Sequence, residues 1–179
     1  MNIPEFIVHY SRGIPFRSMS GLSQKELAET LKELNDTNVW GLRRFSDPEY
    51  LHRRLKVEQK IRHSFVGKGG RPELDFPIYF FLGNNARFEE HKSNVGYKIN
   101  LADVPSHVVS FTYGDSMFSM CENYRQKLGD EYQSHLCSQI YRLDELKTLL
   151  SAIEKEPQKL HIECQLWIKP TVDMFTRIG

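Results

Sequence analysis

The segment Leu160-His161-Ile162-Glu163-Cys164-Gln165-Leu166-Trp167 alternates strictly between two rows of side chains. Leu160, Ile162, Cys164 and Leu166 form one row; His161, Glu163, Gln165 and Trp167 form the other. A period of two is that of a β-strand, and an unbroken apolar row needs a core to cover it. The chain must therefore build a sheet with at least one buried face. The second row sets an imidazole, a carboxylate, an amide and an indole side by side, which makes it a candidate reaction or binding surface.

The chain has 179 residues, the length of one ordinary domain spanning 1–179, and enough to bury a sizeable core. It is 40% hydrophobic and 12% aromatic, which argues against disorder. A net charge of +1 provides no overall field to draw nucleic acid or an anionic membrane. Cys121, Cys137 and Cys164 are odd in number and lack C-x-x-C spacing, so free thiols in a reducing compartment are expected. No apolar run reaches the ~18 residues of a membrane helix, and no basic-then-apolar leader opens the chain. The expectation is a cytoplasmic protein that does not enter the membrane.

Glu5–Tyr10 reads as a strand with apolar residues on both sides, hence a covered position in the sheet. Ser23 and Glu26 have capping-box spacing, and the helix they open should run to about Asn35 with Leu27, Leu31 and Leu34 buried. Ser46 or Asp47 caps a longer helix from Pro48 to about Val66, ended by Gly67, Gly69 and Gly70. Its buried stripe is predicted to be Leu51, Leu55, Val57, Ile61 and Phe65, with Arg53, Arg54, Lys56, Lys60 and Arg62 on a solvated basic face. Strands are predicted at 78–82, 96–101, 107–113, 139–143 and 160–167. A helix capped by Asp144 should reach about Ile153; 116–136 has helical composition without clear periodicity. Strands with clustered helices indicate an α+β domain. Its central sheet should be mixed or antiparallel, with helices concentrated in the N-terminal half and one before the last strand.

Among chemical motifs, no Walker A, H-E-x-x-H, G-x-S-x-G or EF-hand loop occurs, and no His/Cys/Asp/Glu set has zinc spacing, so no metal site is expected. Cys164 lies on the apolar side of its strand and reads as a packing residue rather than a nucleophile. Gly67–Pro72 reads either as an anion cradle or as a helix C-cap with a turn. Tyr113-Gly114-Asp115-Ser116-Met117 reads either as a site-lining loop or as a helix N-cap.

His9 and Arg12 close the first strand, Ser110-Phe111-Thr112 occupies a middle strand, and Glu163-Cys164-Gln165 a late one. This order resembles the ADP-ribosyltransferase superfamily, in which a first strand ends in His or Arg, a middle strand carries hydroxyl residues or Tyr, and a late strand carries a catalytic Glu. One branch of that family places Gln or Glu two residues before the catalytic Glu, whereas here Glu163 precedes Gln165. The resemblance implies NAD as substrate and ADP-ribose transfer to an unidentified acceptor, a protein or a nucleic acid. It implies that an ionised Glu163 stabilises the developing ribose cation. It implies that His9 hydrogen-bonds the adenosine ribose, that Ser110 and Thr112 shape the nicotinamide pocket, and that Tyr113 or Tyr79 stacks on the ring. Ser11, Arg12 and Gln165 complete the NAD-binding set, and His9, Ser110 and Glu163 should share one cleft. From the residues alone, two further readings stand. One is a non-enzymatic module engaging an acidic protein or RNA through the basic helix 48–71. The other is a small hydrolase holding a phosphorylated ligand with Arg12, Arg17 and the Gly69-Gly70 turn.

Overall fold

The computed structural model describes residues 3–35, 42–90, 94–122, 133–153 and 161–178. Seven strands form one sheet: β1 (Phe6–Ser11), β2 (Ile78–Leu82), β3 (Val95–Asn100), β4 (Val109–Tyr113), β5 (Tyr141–Arg142), β6 (Ile162–Leu166) and β7 (Thr176–Ile178). Their order across the sheet is β5-β4-β6-β2-β1-β3-β7. Every neighbouring pair is antiparallel, and one isolated parallel bridge joins Gly114 to Ile162. Among the described residues the helices are α1 (Gln24–Asn35), α2 (Pro48–Gly67), α3 (Ala86–Glu89), α4 (Ser116–Met120) and α5 (Leu146–Ala152). The fold is α+β.

Register assigns each strand residue to a face, because paired residues share one. Phe80 pairs with Cys164, and Cys164 with Phe111. These residues, with Ile7, Ile99, Ile162 and Leu166, form the main core, and α5 closes it with Leu146 and Leu149. On the other face, Tyr79 pairs with Gln165, Phe81 with Glu163, Ser110 with Gln165 and Thr112 with Glu163. Helices α2 and α4 lie over this face, where Tyr50, Val57, Ile61, Phe65, Met117, Met120, Ile140 and Trp167 make a second core. Trp167 stacks on Phe65 with ring centroids 5.9 Å apart.

Local chemistry sets the helix ends. Ser23 and Glu26 form the capping box: the Ser23 N–H donates to Glu26 Oε2 at 2.9 Å, and the Glu26 N–H donates to Ser23 Oγ at 3.3 Å. Asp47, not Ser46, caps α2, accepting the Glu49 N–H at 2.9 Å. At the other end of α2 the Gly70 N–H donates to the Phe65 carbonyl at 2.9 Å. A Cβ on Gly70 would lie 2.5 Å from the Phe65 ring, so only glycine lets the chain double back there. The Gly67–Pro72 segment is thus a helix C-cap. Lys68 pairs with Glu145 at 2.8 Å and Arg142 donates to the Lys68 carbonyl at 2.9 Å, which pins the turn to the start of α5.

Several boundaries differ from the sequence reading. Strand β5 holds two residues rather than five, and 106–108 is a 3₁₀ turn ahead of β4. Asp144 does not cap α5; it pairs with Arg142, and Glu145 accepts the Arg142 N–H at 2.8 Å. Strand β7 was not read from the sequence, since three residues carry too little alternation to register. It pairs Gly96 with Ile178, where a Cβ on residue 96 would meet the Ile178 side chain at 2.7 Å. In the 116–136 stretch, α4 and a 3₁₀ turn at Ser134–Leu136 are present, and 123–132 lies outside the described residues. Leu160 and the Leu34 side chain also lie outside them.

Candidate functional site

The second row of β6 is a buried polar seam. Trp167 Nε1 donates to Ser110 Oγ at 3.0 Å, and Ser110 Oγ donates to Gln165 Oε1 at 3.1 Å. Gln165 Nε2 donates to Thr112 Oγ1 at 3.0 Å, and Thr112 donates on to the Gly114 carbonyl at 3.2 Å. Gln165 is 0% exposed and both ends of its amide are matched within the protein. Such a seam fixes strand register, because a one-residue slip would leave every member unpaired. Ser110, Thr112 and Gln165 are therefore brought together, as the sequence reading required, but beneath α2.

Glu163 ends the seam at 6% exposure. Its Oε1 accepts the Ser116 N–H at 3.2 Å and Gln165 Nε2 at 3.4 Å. Burial, joined by the nearby Asp115 carboxylate, pushes its pKa up to about 7 against the pull of Arg54 and the Ser116 N–H. The expected permanently ionised Glu163 is thus corrected: near neutrality a large share of the carboxyl is protonated. Asp115 itself caps α4, accepting the Met117 N–H at 2.7 Å, so the 113–117 loop serves as a helix N-cap.

Above the seam, α2 contributes an ion pair whose arginine, Arg54, the sequence reading placed on a solvated face. The helix buries Tyr50, Arg54, Val57, Glu58, Ile61 and Phe65, whereas Leu51 and Leu55 are only half-buried. Arg54 Nε donates to Glu58 Oε1 at 2.8 Å, Tyr79 OH donates to the same oxygen at 3.0 Å, and the Arg54 guanidinium lies 4.0 Å from the Tyr79 ring centroid. Arg54 Nη1 reaches Ser116 Oγ at 3.5 Å. Burial raises the Tyr79 pKa well above the usual phenol range, so Tyr79 stays a donor to Glu58.

Arg54, Glu58 and Tyr79 also form one wall of a cavity of about 410 Å³. Its other walls come from the end of β1 and the loop after it (His9, Ser11, Arg12, Arg17), from α1 (Thr30, Glu33), and from Phe45 and Phe88. Arg12 Nε donates to Asn94 Oδ1 at 2.8 Å. Arg12 Nη1 and Glu58 Oε2 are shielded from solvent, yet neither has a hydrogen-bond partner among the described residues. A groove of about 480 Å³ on the far side of Tyr10, Phe88 and Asn94 contains no buried ionisable group of this kind; its Lys98 ammonium rests 4.1 Å from the Phe6 ring centroid.

The residues expected to form one site thus divide. His9, Ser11 and Arg12 line the cavity; Glu163, Gln165, Ser110, Thr112 and Tyr113 do not. Val8 pairs with Phe81 and Phe81 with Glu163, so the next residue, His9, projects from the face opposite Glu163. The shared cleft expected for His9, Ser110 and Glu163 is not built. Both His9 nitrogens are also engaged: Nδ1 meets the Tyr79 carbonyl at 2.8 Å, and Nε2 accepts the Phe16 N–H at 3.2 Å. These partners assign the proton to Nδ1. Burial lowers the His9 pKa, the Tyr79 carbonyl partly offsetting it, so the imidazole stays neutral and works as a clamp rather than a ribose ligand. Tyr113 pairs with Ile162 on the Cys164 face, which leaves Tyr79 as the tyrosine on the Glu163 face. Cys164 is fully buried and burial raises its thiol pKa well above the ordinary value, so it is a packing residue.

The basic face of α2 is largely spent within the protein. Arg53 pairs with Glu49 at 2.9 Å, Lys60 donates to the Met120 carbonyl at 3.4 Å, and Arg54 is buried. Among the described residues no three His, Cys, Asp or Glu side chains converge on a metal position, and no helix is long and apolar enough to cross a membrane. Sequence reasoning missed Glu58 as a site residue. The signal was available: positions 50, 54, 57, 58, 61 and 65 share one helical face, and two of them are oppositely charged at i, i+4 spacing. Comparison with family models, with curated proteins and with solved structures finds no match.

Proposed function

We propose that the chain binds a phosphorylated, hydroxyl-bearing ligand of nucleotide size in the 410 Å³ cavity, and that ADP-ribose and NAD represent its ligand class. The observation that carries this reading is the pair of unmatched buried atoms on two residues that line the cavity, a donor on Arg12 and an acceptor on Glu58. A buried polar atom without a partner costs about 1–3 kcal/mol. A phosphate matches the guanidinium and a ribose hydroxyl matches the carboxylate oxygen. The terminal torsion of a Glu side chain is broad, so the Glu58 carboxylate can reorient toward a ligand without leaving its rotamer. The volume falls within the ~300–1,000 Å³ common for small-molecule sites, and Phe45 and Phe88 provide aromatic walls. The NAD expectation is thereby kept while its catalytic assignment moves: Glu58, ion-paired with Arg54, is the carboxylate at the cavity, and Glu163 lies behind it.

Titration calorimetry with ADP-ribose and NAD tests the reading. Arg12 sits on a loop, so Arg12→Ala preserves the fold while removing a charge-assisted contact, and it should weaken binding about tenfold to a hundredfold. No detectable binding of either ligand by the wild type at ~1 mM, or equal affinity in Arg12→Ala, overturns it. Release of nicotinamide from NAD tests the transfer chemistry separately. Any such turnover should be lost in Glu58→Gln, and turnover unchanged in that variant removes Glu58 from the role.

A further inference from the structure

We propose that binding of the anionic ligand in the cavity that Arg54 borders is coupled to the uptake of a proton by the buried Glu163. The inference rests on the ligand reading above and adds a linkage to it. Arg54 is where the cavity and the polar seam meet. It lines the cavity, and it also reaches Ser116, whose backbone N–H is held by Glu163.

Among the described residues, charged and titratable groups reach Glu163 from several elements. Asp115, ahead of α4, disfavours its charge, and Arg54 on α2 favours it. Tyr50 and Tyr79 feel the Glu163 charge from α2 and β2, and Glu58 shares Arg54 with it. His161 lies two residues away on the same strand row and packs edge-on against Phe81. Of these, Arg54 is the positive charge that favours ionised Glu163, and it borders the cavity beside Glu58 and Tyr79. A ligand phosphate in the cavity competes for the charge of Arg54 and adds a negative one nearby. Both effects disfavour the Glu163 carboxylate, and at low effective dielectric they act across several ångströms. Neutral Glu163 keeps its place, because a carboxylic acid still accepts the Ser116 N–H and can donate from its other oxygen.

ADP-ribose is the suitable probe, since its pyrophosphate does not titrate between pH 6 and 9 and any linked proton belongs to the protein. Calorimetry at pH 7.5 in two buffers of different ionisation enthalpy should report uptake of about 0.3–0.7 proton per ligand, and affinity should fall about tenfold from pH 6.5 to 8.5. Glu163→Gln should bind ADP-ribose with neither effect. Asp115→Asn, which removes the neighbouring negative charge, should retain the effect and move its midpoint to lower pH. Binding by the wild type with no proton uptake overturns the coupling and leaves the ligand reading standing. Proton uptake that persists undiminished in Glu163→Gln also overturns it. No binding of ADP-ribose at all removes the coupling together with the reading on which it rests.

Discussion

Arg54→Ala should lower the stability of the protein by about 3–5 kcal/mol, a large part of the ~5–15 kcal/mol that holds an ordinary domain together. The loss comes less from the attraction removed than from what remains. Glu58, 1% exposed, would lose the guanidinium that donates to its Oε1 at 2.8 Å. Tyr79 would lose the guanidinium lying 4.0 Å from its ring. The net charge of the seam would become more negative beside Asp115 and Glu163, whose repulsion is already felt. Replacing both partners gives the opposite expectation. Arg54→Met with Glu58→Leu removes both charges at similar volume, and such replacements of buried pairs are often neutral or stabilising. The double variant should regain most of the loss, short by about 1 kcal/mol for the hydrogen bond that Tyr79 OH no longer makes. Urea unfolding at pH 7 with unchanged slope measures both. A single variant losing less than about 1 kcal/mol would mean that the pair is compensated by solvent and not sealed beneath the helix. A stable double variant that no longer binds ADP-ribose would show that the pair is kept for the ligand and not for the fold.

That pair also marks the limit of what the sequence disclosed. Strands β4 and β6 were legible because each alternates over enough residues to fix a face, β2 because its compact apolar run is bounded by Pro77 and Gly83, and the ends of α1 and α2 because Ser23, Glu26, Asp47 and Pro48 carry cap chemistry of their own. The burial of Cys164 followed from Ile162 and Leu166 beside it. Arg54 and Glu58 were passed over because a charged residue on a helix normally means solvent, and Leu51 and Leu55 drew the apolar stripe one step around the helix. What turns α2 is the seam it must cover: Tyr50, Arg54, Val57, Glu58, Ile61 and Phe65 face a surface that is polar at Tyr79 and Glu163 and apolar at Trp167. The division between His9 and Glu163 has a similar origin. Each strand's own pattern defines two faces, but which face of β1 joins which face of β6 depends on the Val8–Phe81 and Phe81–Glu163 pairings. Those pairings join residues more than 70 positions apart, and no local period encodes them.

Glu163→Gln should stabilise the protein at pH 8 by up to about 3 kcal/mol and leave it nearly unchanged at pH 4, a gain that would be surprising for a catalytic carboxylate in an open site. The sign follows from proton counting. The Glu163 carboxyl has an ordinary pKa of 4.5 and a folded value of about 7. Between those values the folded chain holds a proton that the unfolded chain has released. Stability contributed by Glu163 is therefore full below about pH 4.5 and lost progressively as the pH rises through 7. Glutamine has nearly the same shape, offers Oε1 to the Ser116 N–H and never ionises, so it keeps the low-pH state at every pH. His9 works in the other direction. Its neutral form is the one the fold accepts, so its contribution is present above pH 6.5 and declines as the pH falls below it. In the wild type the two contributions therefore oppose each other between about pH 4.5 and 6.5, whereas Glu163→Gln should show only the acid-side decline attributable to His9. Urea midpoints measured from pH 4.5 to 8.5 on both proteins separate the two contributions. Equal midpoints at pH 8, or a lower one for the variant, would mean that Glu163 is ionised in the folded protein and that Arg54 outweighs both its burial and Asp115.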